Sequence, residues 1–109
     1  MWDLNVRINH GLTPLHVASS IGHLGCVDLL ISKCAYVNIR DNYGETPLHC
    51  ASTYGHLECI KLLITYGSES DIRDNGNKTP LDYLTHENMS MIKKYIEENE
   101  PIYKEPVDY

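Results

Sequence analysis

Self-similarity at a fixed offset of 33 residues constrains this chain more than any other feature. TPLH at 13–16 returns as TPLH at 46–49 and again as TPLD at 79–82, and residues 8–40 agree with 41–73 at 17 of 33 positions. Agreement of that density makes each unit one supersecondary element, which cannot bury its apolar face alone and must stack on its neighbours. A solenoid of repeating units is the expected architecture.

The shared positions carry local physical roles. Thr13 and Thr46 precede Pro14 and Pro47, a hydroxyl N-cap followed by proline at the first helical position, where a missing N–H costs nothing. A short helix is expected through LHVASSI in one copy and LHCASTY in the other, ending at Gly22 and Gly55, where a left-handed terminator is wanted. A second helix follows in LGCVDLLISK and LECIKLLITY; its apolar arc is too broad for a lone surface helix and calls for cover on more than one side. Gly67 and Cys34 come next, then polar stretches NIRDNYG and DIRDNGN, which suit hairpin-like turns between units.

At these residues the chain closely resembles the ankyrin repeat family. DNYGETPLHCASTYGHLECIKLLITYGS matches that family's signature at its Asp, Gly, Thr-Pro-Leu-His, Ala, Gly-His, Leu-Leu and final Gly positions. The resemblance runs from about Leu4 to about Glu98 and implies an all-α solenoid of helix-turn-helix units joined by hairpin-like turns. It divides the chain into 1–7, the tail of a preceding repeat or an N-terminal extension; 8–40 and 41–73, two full repeats; 74–98, a C-terminal capping repeat; and 99–109, an acidic tail with two prolines.

The third copy departs from the others as a terminal repeat should. Deleting one residue from its inter-helix turn aligns Met89, Met91, Ile92, Tyr95 and Ile96 with Leu57, Cys59, Ile60, Leu63 and Ile64. Lys94 then replaces Leu62, a charge suited to a face that no later repeat covers. Asn77 stands at the place of Gly11 and Gly44, and Asn88 at the place of the glycine before the second helix; Asn is the least costly replacement in a left-handed conformation. At the other end, Leu4-Asn5 aligns with Val37-Asn38, while Val17 and Val27 leave repeat 1 without a polar outer face. Trp2 and Leu4, further ankyrin repeats, or another chain are expected to cover that face, and a longer parent array is favoured.

The segment HCASTYGHLEC, 49–59, gathers His49, Cys50, His56 and Cys59, residue types that zinc prefers. Three of the four recur at the 33-residue offset as His16, His23 and Cys26, which marks structural positions. Adjacent residues such as His49 and Cys50 also point about 100 degrees apart on a helix, so no metal or cofactor is expected. The resemblance implies that the motif His bonds backbone groups of neighbouring turns. No nucleophile with an oriented base and no phosphate-binding glycine loop occurs, so no enzyme is expected.

A net charge of -6 without clustered Lys or Arg argues against nucleic acid as the main partner. The chain has no apolar run of about 20 residues, so a membrane is not expected either. The opening MWDLNVRINHG lacks the basic and apolar regions of a secretory signal, and the four cysteines read as reduced thiols in a cytoplasmic or nuclear setting.

The resemblance implies a partner protein bound on the concave face and turn tips. Carried over by position, that surface includes Ser20 and Thr53, and the residues singled out on it are His10, Leu12, Ile21, Lys33, Tyr43, Glu45, Tyr54, Tyr66, Asn75 and Lys78. Leu12, Ile21 and the three tyrosines are large where solubility alone favours small polar residues, and aromatic anchors concentrate binding energy. An adaptor or stoichiometric inhibitor is the leading reading. The alternatives are a reader of basic peptides such as histone tails, using Glu45, Glu58, Glu69 and other acids, and a spacer that binds nothing. Asn38 resembles the asparagine that is hydroxylated in ankyrin repeats by a 2-oxoglutarate-dependent enzyme, although Asn is favoured in such turns anyway. The tail is expected to be an extended linker; the alternatives are phosphorylation at Tyr103 and Tyr109 or an arm that binds in a partner's groove.

Overall fold

The computed structural model of this protein describes residues 4–99. Trp2 and the tail bearing Tyr103 and Tyr109 lie outside the described residues. Five α-helices follow one another: α1 (Pro14–Ile21), α2 (Leu24–Ser32), α3 (Pro47–Thr53), α4 (Leu57–Thr65) and α5 (His86–Glu98). Short 3₁₀ turns occupy Asn9–Gly11 and Pro80–Tyr83. The inner row stacks α1 on α3 on the Pro80–Tyr83 turn, and the outer row stacks α2 on α4 on α5. Between the rows lie Leu15, Val27, Leu48, Ile60, Leu63 and Ile92, all essentially buried.

Each inner helix begins as its sequence dictates. The Thr13 and Thr46 hydroxyls accept from the N–H groups of His16 and His49, and those imidazoles accept at Nδ1 from the Thr backbone N–H at 3.1 Å in both copies. A neutral ring that accepts at Nδ1 carries its proton on Nε2. That proton is donated to the next repeat: His16 Nε2 to the Glu45 carbonyl at 2.8 Å, His49 Nε2 to the Lys78 carbonyl at 2.9 Å. Both rings are fully buried, so removing either would leave a buried acceptor unpaired, at a cost of about 1–3 kcal/mol.

The turns form a second ladder. Asp41 accepts from the N–H groups of Tyr43 and Glu45, and Asp74 from those of Gly76 and Lys78. Neighbouring tips are joined by Asn42 N–H to the His10 carbonyl and Asn75 N–H to the Tyr43 carbonyl, both 2.9 Å. The arginines repeat in the same way, with Arg7 donating to the Arg40 carbonyl and Arg40 to the Arg73 carbonyl.

The third unit differs from expectation at one residue. Asn77 does take positive φ, 64°, as a glycine substitute should. Asn88, by contrast, lies inside the first turn of α5, where its N–H is donated to the Thr85 hydroxyl. The reason is that the inner helix of this unit stops after a single 3₁₀ turn, which lets Thr85 cap the outer helix earlier. Lys94 is exposed.

Two predictions follow from these bonds. Burial lowers the pKa of both His16 and His49 from 6.5. Because the folded pKa lies below the unfolded one, their stability contribution is complete above about pH 6.5 and is lost as pH falls through the folded value. Urea midpoints should therefore hold steady from pH 8 to 7 and drop toward pH 5, with a shallower drop in His49→Asn. Separately, Cys34 sits at φ 73° where its counterpart is Gly67 at 102°. A left-handed non-glycine residue costs about 1–2 kcal/mol, partly offset by the greater chain entropy of glycine. Cys34→Gly should gain about 0.5–1 kcal/mol in urea unfolding.

Candidate functional site

Five of the ten residues that the sequence singles out meet in one depression. His10, Leu12, Tyr43, Glu45 and Tyr54 line a hollow of about 220 Å³ together with Ser20, Asp41, Cys50 and Thr53. The repeat explains the convergence, since positions 10 and 43, 12 and 45, and 20 and 53 are equivalent places on adjacent units. The hollow is thus the seam between repeats 1 and 2 on the inner-helix side.

Tyr43 and Tyr54 remain 55% and 64% exposed, a large aromatic area for a surface. Tyr43 is held from one side, its hydroxyl 3.2 Å from His10 Nδ1 with the ring centroids 5.6 Å apart. Tyr54 stacks against His56 at 6.4 Å. Glu45 is half-buried; burial, then the nearby Asp41 and Asp74, raises its carboxyl above the usual carboxylate range. Burial pushes the Cys50 thiol up to about 11, so it is not a thiolate near neutral pH.

The other five residues lie elsewhere. Asn75 and Lys78 belong to the third turn, where the Asn75 side chain donates to the Asn42 carbonyl and the Lys78 ammonium stands 5.6 Å from the Tyr83 ring centroid. Lys33 and Tyr66 are the C-caps of outer helices α2 and α4, and the Tyr66 hydroxyl donates to Asp28 of α2. Their expected place on the inner surface is therefore corrected: the position belongs to the outer row. Ile21 lines a separate groove at the open end of repeat 1. Asp41 and Cys50 are wall residues that the site reading missed; Asp41 accepts from Tyr43 and Glu45 N–H in its own turn, and that turn-capping position is the signal that could have found it.

The residues once grouped as metal ligands have other partners. His49 is committed to Thr46 and Lys78, and His56 Nε2 donates to the Ser20 carbonyl at 2.9 Å. Among the described residues no group of three or more His, Cys, Asp or Glu is arranged to hold a metal. Asn38 accepts from Glu69 N–H at 2.9 Å and donates to the Gly67 carbonyl at 3.3 Å. The three acids of the basic-peptide reading line three different hollows: Glu45 the seam, Glu58 the outer groove beside Lys61, and Glu69 a third beside Ile96. No helix among the described residues is long and apolar enough to cross a membrane.

Stacked helix pairs joined by laterally bonded turn tips define a class of protein: a helical-repeat solenoid. The family model "Ankyrin repeats (3 copies)" matches residues 2–74 and 35–101, and the chain belongs to the ankyrin repeat family. Members of that family are in general protein–protein interaction modules and are typically not enzymes. No curated protein matches the chain in sequence.

Proposed function

We propose that this chain binds a partner protein through the seam between repeats 1 and 2, acting as an adaptor or a stoichiometric inhibitor. The observation that carries the reading is the presence of two exposed tyrosine rings in the lining of one hollow on a repeat-locked frame. Tyr supplies a large contact area at small cost in side-chain entropy and is enriched among residues that dominate binding energy. The frame adds to this: the turn tips are fixed by backbone bonds, so little ordering remains for binding to oppose.

Of the three acids named for the basic-peptide reading, Glu45 lines the seam, its pKa raised by burial and then by the nearby Asp41 and Asp74. Glu58 and Glu69 face other surfaces, and Glu58 stands 3.6 Å from the Lys61 ammonium. A single extended basic segment therefore gains less from this surface than an apolar or aromatic one.

The test is affinity capture from cell extract followed by mass spectrometry, with the wild type compared with Tyr43→Ala/Tyr54→Ala and Tyr66→Ala. The double variant should lose the specific partner by at least about 30-fold, the equivalent of about 2 kcal/mol for a hot-spot pair. Tyr66→Ala, on the outer row, should retain it. Retention by the double variant would contradict the seam as the binding face, and steep loss of capture with salt would favour the basic-peptide reading.

A further inference from the structure

We propose that the hollow at the seam of repeats 1 and 2 takes a phenol side chain, a tyrosine of the partner protein, whose hydroxyl donates to the Asp41 carboxylate. The assignment rests on the seam being the binding face and names what that face recognises. At the next seam the protein supplies such a phenol itself.

Positions 17, 50 and 83 are equivalent and carry Val, Cys and Tyr. Register holds through the third, because the Pro80–Tyr83 turn opens with the same Thr-Pro capping arrangement as α3 and stacks on α3 as α3 stacks on α1. Tyr83 there donates its hydroxyl to Asp74 Oδ2, and its ring meets His49 edge-on with the centroids 6.1 Å apart. The phenol is the third donor to Asp74, whose Oδ1 accepts from Gly76 and Lys78 N–H.

One seam earlier the aspartate and the histidine recur without the phenol. Asp41, the counterpart of Asp74, accepts at Oδ1 from Tyr43 and Glu45 N–H, and His16 is the counterpart of His49. Cys50 stands at the place of Tyr83, and Cys50 and Asp41 both line the hollow of about 220 Å³. A small residue at position 50 thus leaves open, between the same two ends, the place that Tyr83 takes at the next seam.

The lining suits a hydrogen-bond donor carried on an aromatic body. Ser20 and Thr53 give their hydroxyl protons to the His16 and His49 carbonyls, both at 2.9 Å, so what remains of them, like Asp41, accepts. Leu12 and the Tyr43 and Tyr54 rings add apolar and aromatic surface, against which a phenol ring gains both area and ring contact. An ammonium is the competing donor, and it would shed its hydration against those walls. Burial keeps the Cys50 thiol neutral, so no thiolate draws a cation to that place.

Titration of the 109-residue protein with p-cresol, the tyrosine side chain as a free molecule, followed by ¹⁵N–¹H correlation spectra, tests the assignment. The amides of Asp41, Cys50 and Tyr54 should shift saturably, and 4-methylanisole, which has no hydroxyl proton to donate, should bind at least about tenfold more weakly. Cys50→Tyr, which builds the Tyr83 arrangement into this seam, should keep a folded spectrum and lose the response; if it does not fold, the two probes on the wild type decide alone. Equal affinity for the probes, no saturable shift at the seam, tighter binding of butylammonium than of p-cresol, or an undiminished response in folded Cys50→Tyr would overturn the phenol. So would seam amides that move in Tyr103→Phe/Tyr109→Phe before any probe is added, which would make the tail the occupant. Capture by Tyr43→Ala/Tyr54→Ala decides the face independently: lost capture alongside any of these results removes the phenol and keeps the face, and retained capture removes both.

Discussion

The bond from a buried imidazole to the carbonyl of the following repeat is the constraint on which the rest of this structure depends. A helix pair of this length buries too little apolar surface to stand alone. Its neighbour must be held in one register, and apolar packing by itself is non-directional. His16 and His49 supply the direction, with Nδ1 tied to the threonine that starts the helix and Nε2 tied to the backbone of the next turn. One side chain thereby couples helix initiation to inter-repeat spacing. Burial excludes water from both bonds, so the neutral ring is favoured and the proton stays on the nitrogen that faces the next unit.

The proposed recognition surface would be a consequence of that coupling. Once the Glu45 and Lys78 carbonyls are anchored, the turns that carry them project in line, and Asp41 and Asp74 fix their tips by accepting backbone N–H groups. Tyr43 and Tyr54 then line one hollow at the seam between repeats 1 and 2. The scaffold residues are the repeated ones and the surface residues the variable ones, a division of labour that lets one frame serve many partners.

Much of this was legible in the sequence because repetition serves as its own control. His49, His56 and Cys59 looked like ligands until their copies at 16, 23 and 26 marked them as frame, and Thr-Pro placed both inner helices to within a residue. Three things were not legible. Position 33/66 faces the outer row because the C-cap residue continues the direction of its helix, and a repeat pattern does not say which way a cap points. Asn88 entered the helix because Thr85, a stronger N-cap signal than the alignment credited, captured the start of α5. Finally, His23 and His56 share a sequence and differ in bonding, since their environment is set by what lies in the preceding repeat.

The central claim is that neutral, directional imidazoles lock the register, and the nitrogen chemical shifts of the histidine rings test it most directly. Long-range ¹⁵N–¹H correlation across pH 8 to 5 should show His16 and His49 as the tautomer protonated on Nε2, with no titration at 6.5 and a response only at lower pH as unfolding begins. Protonation on Nδ1, or ordinary titration near 6.5 in the folded protein, would contradict the account.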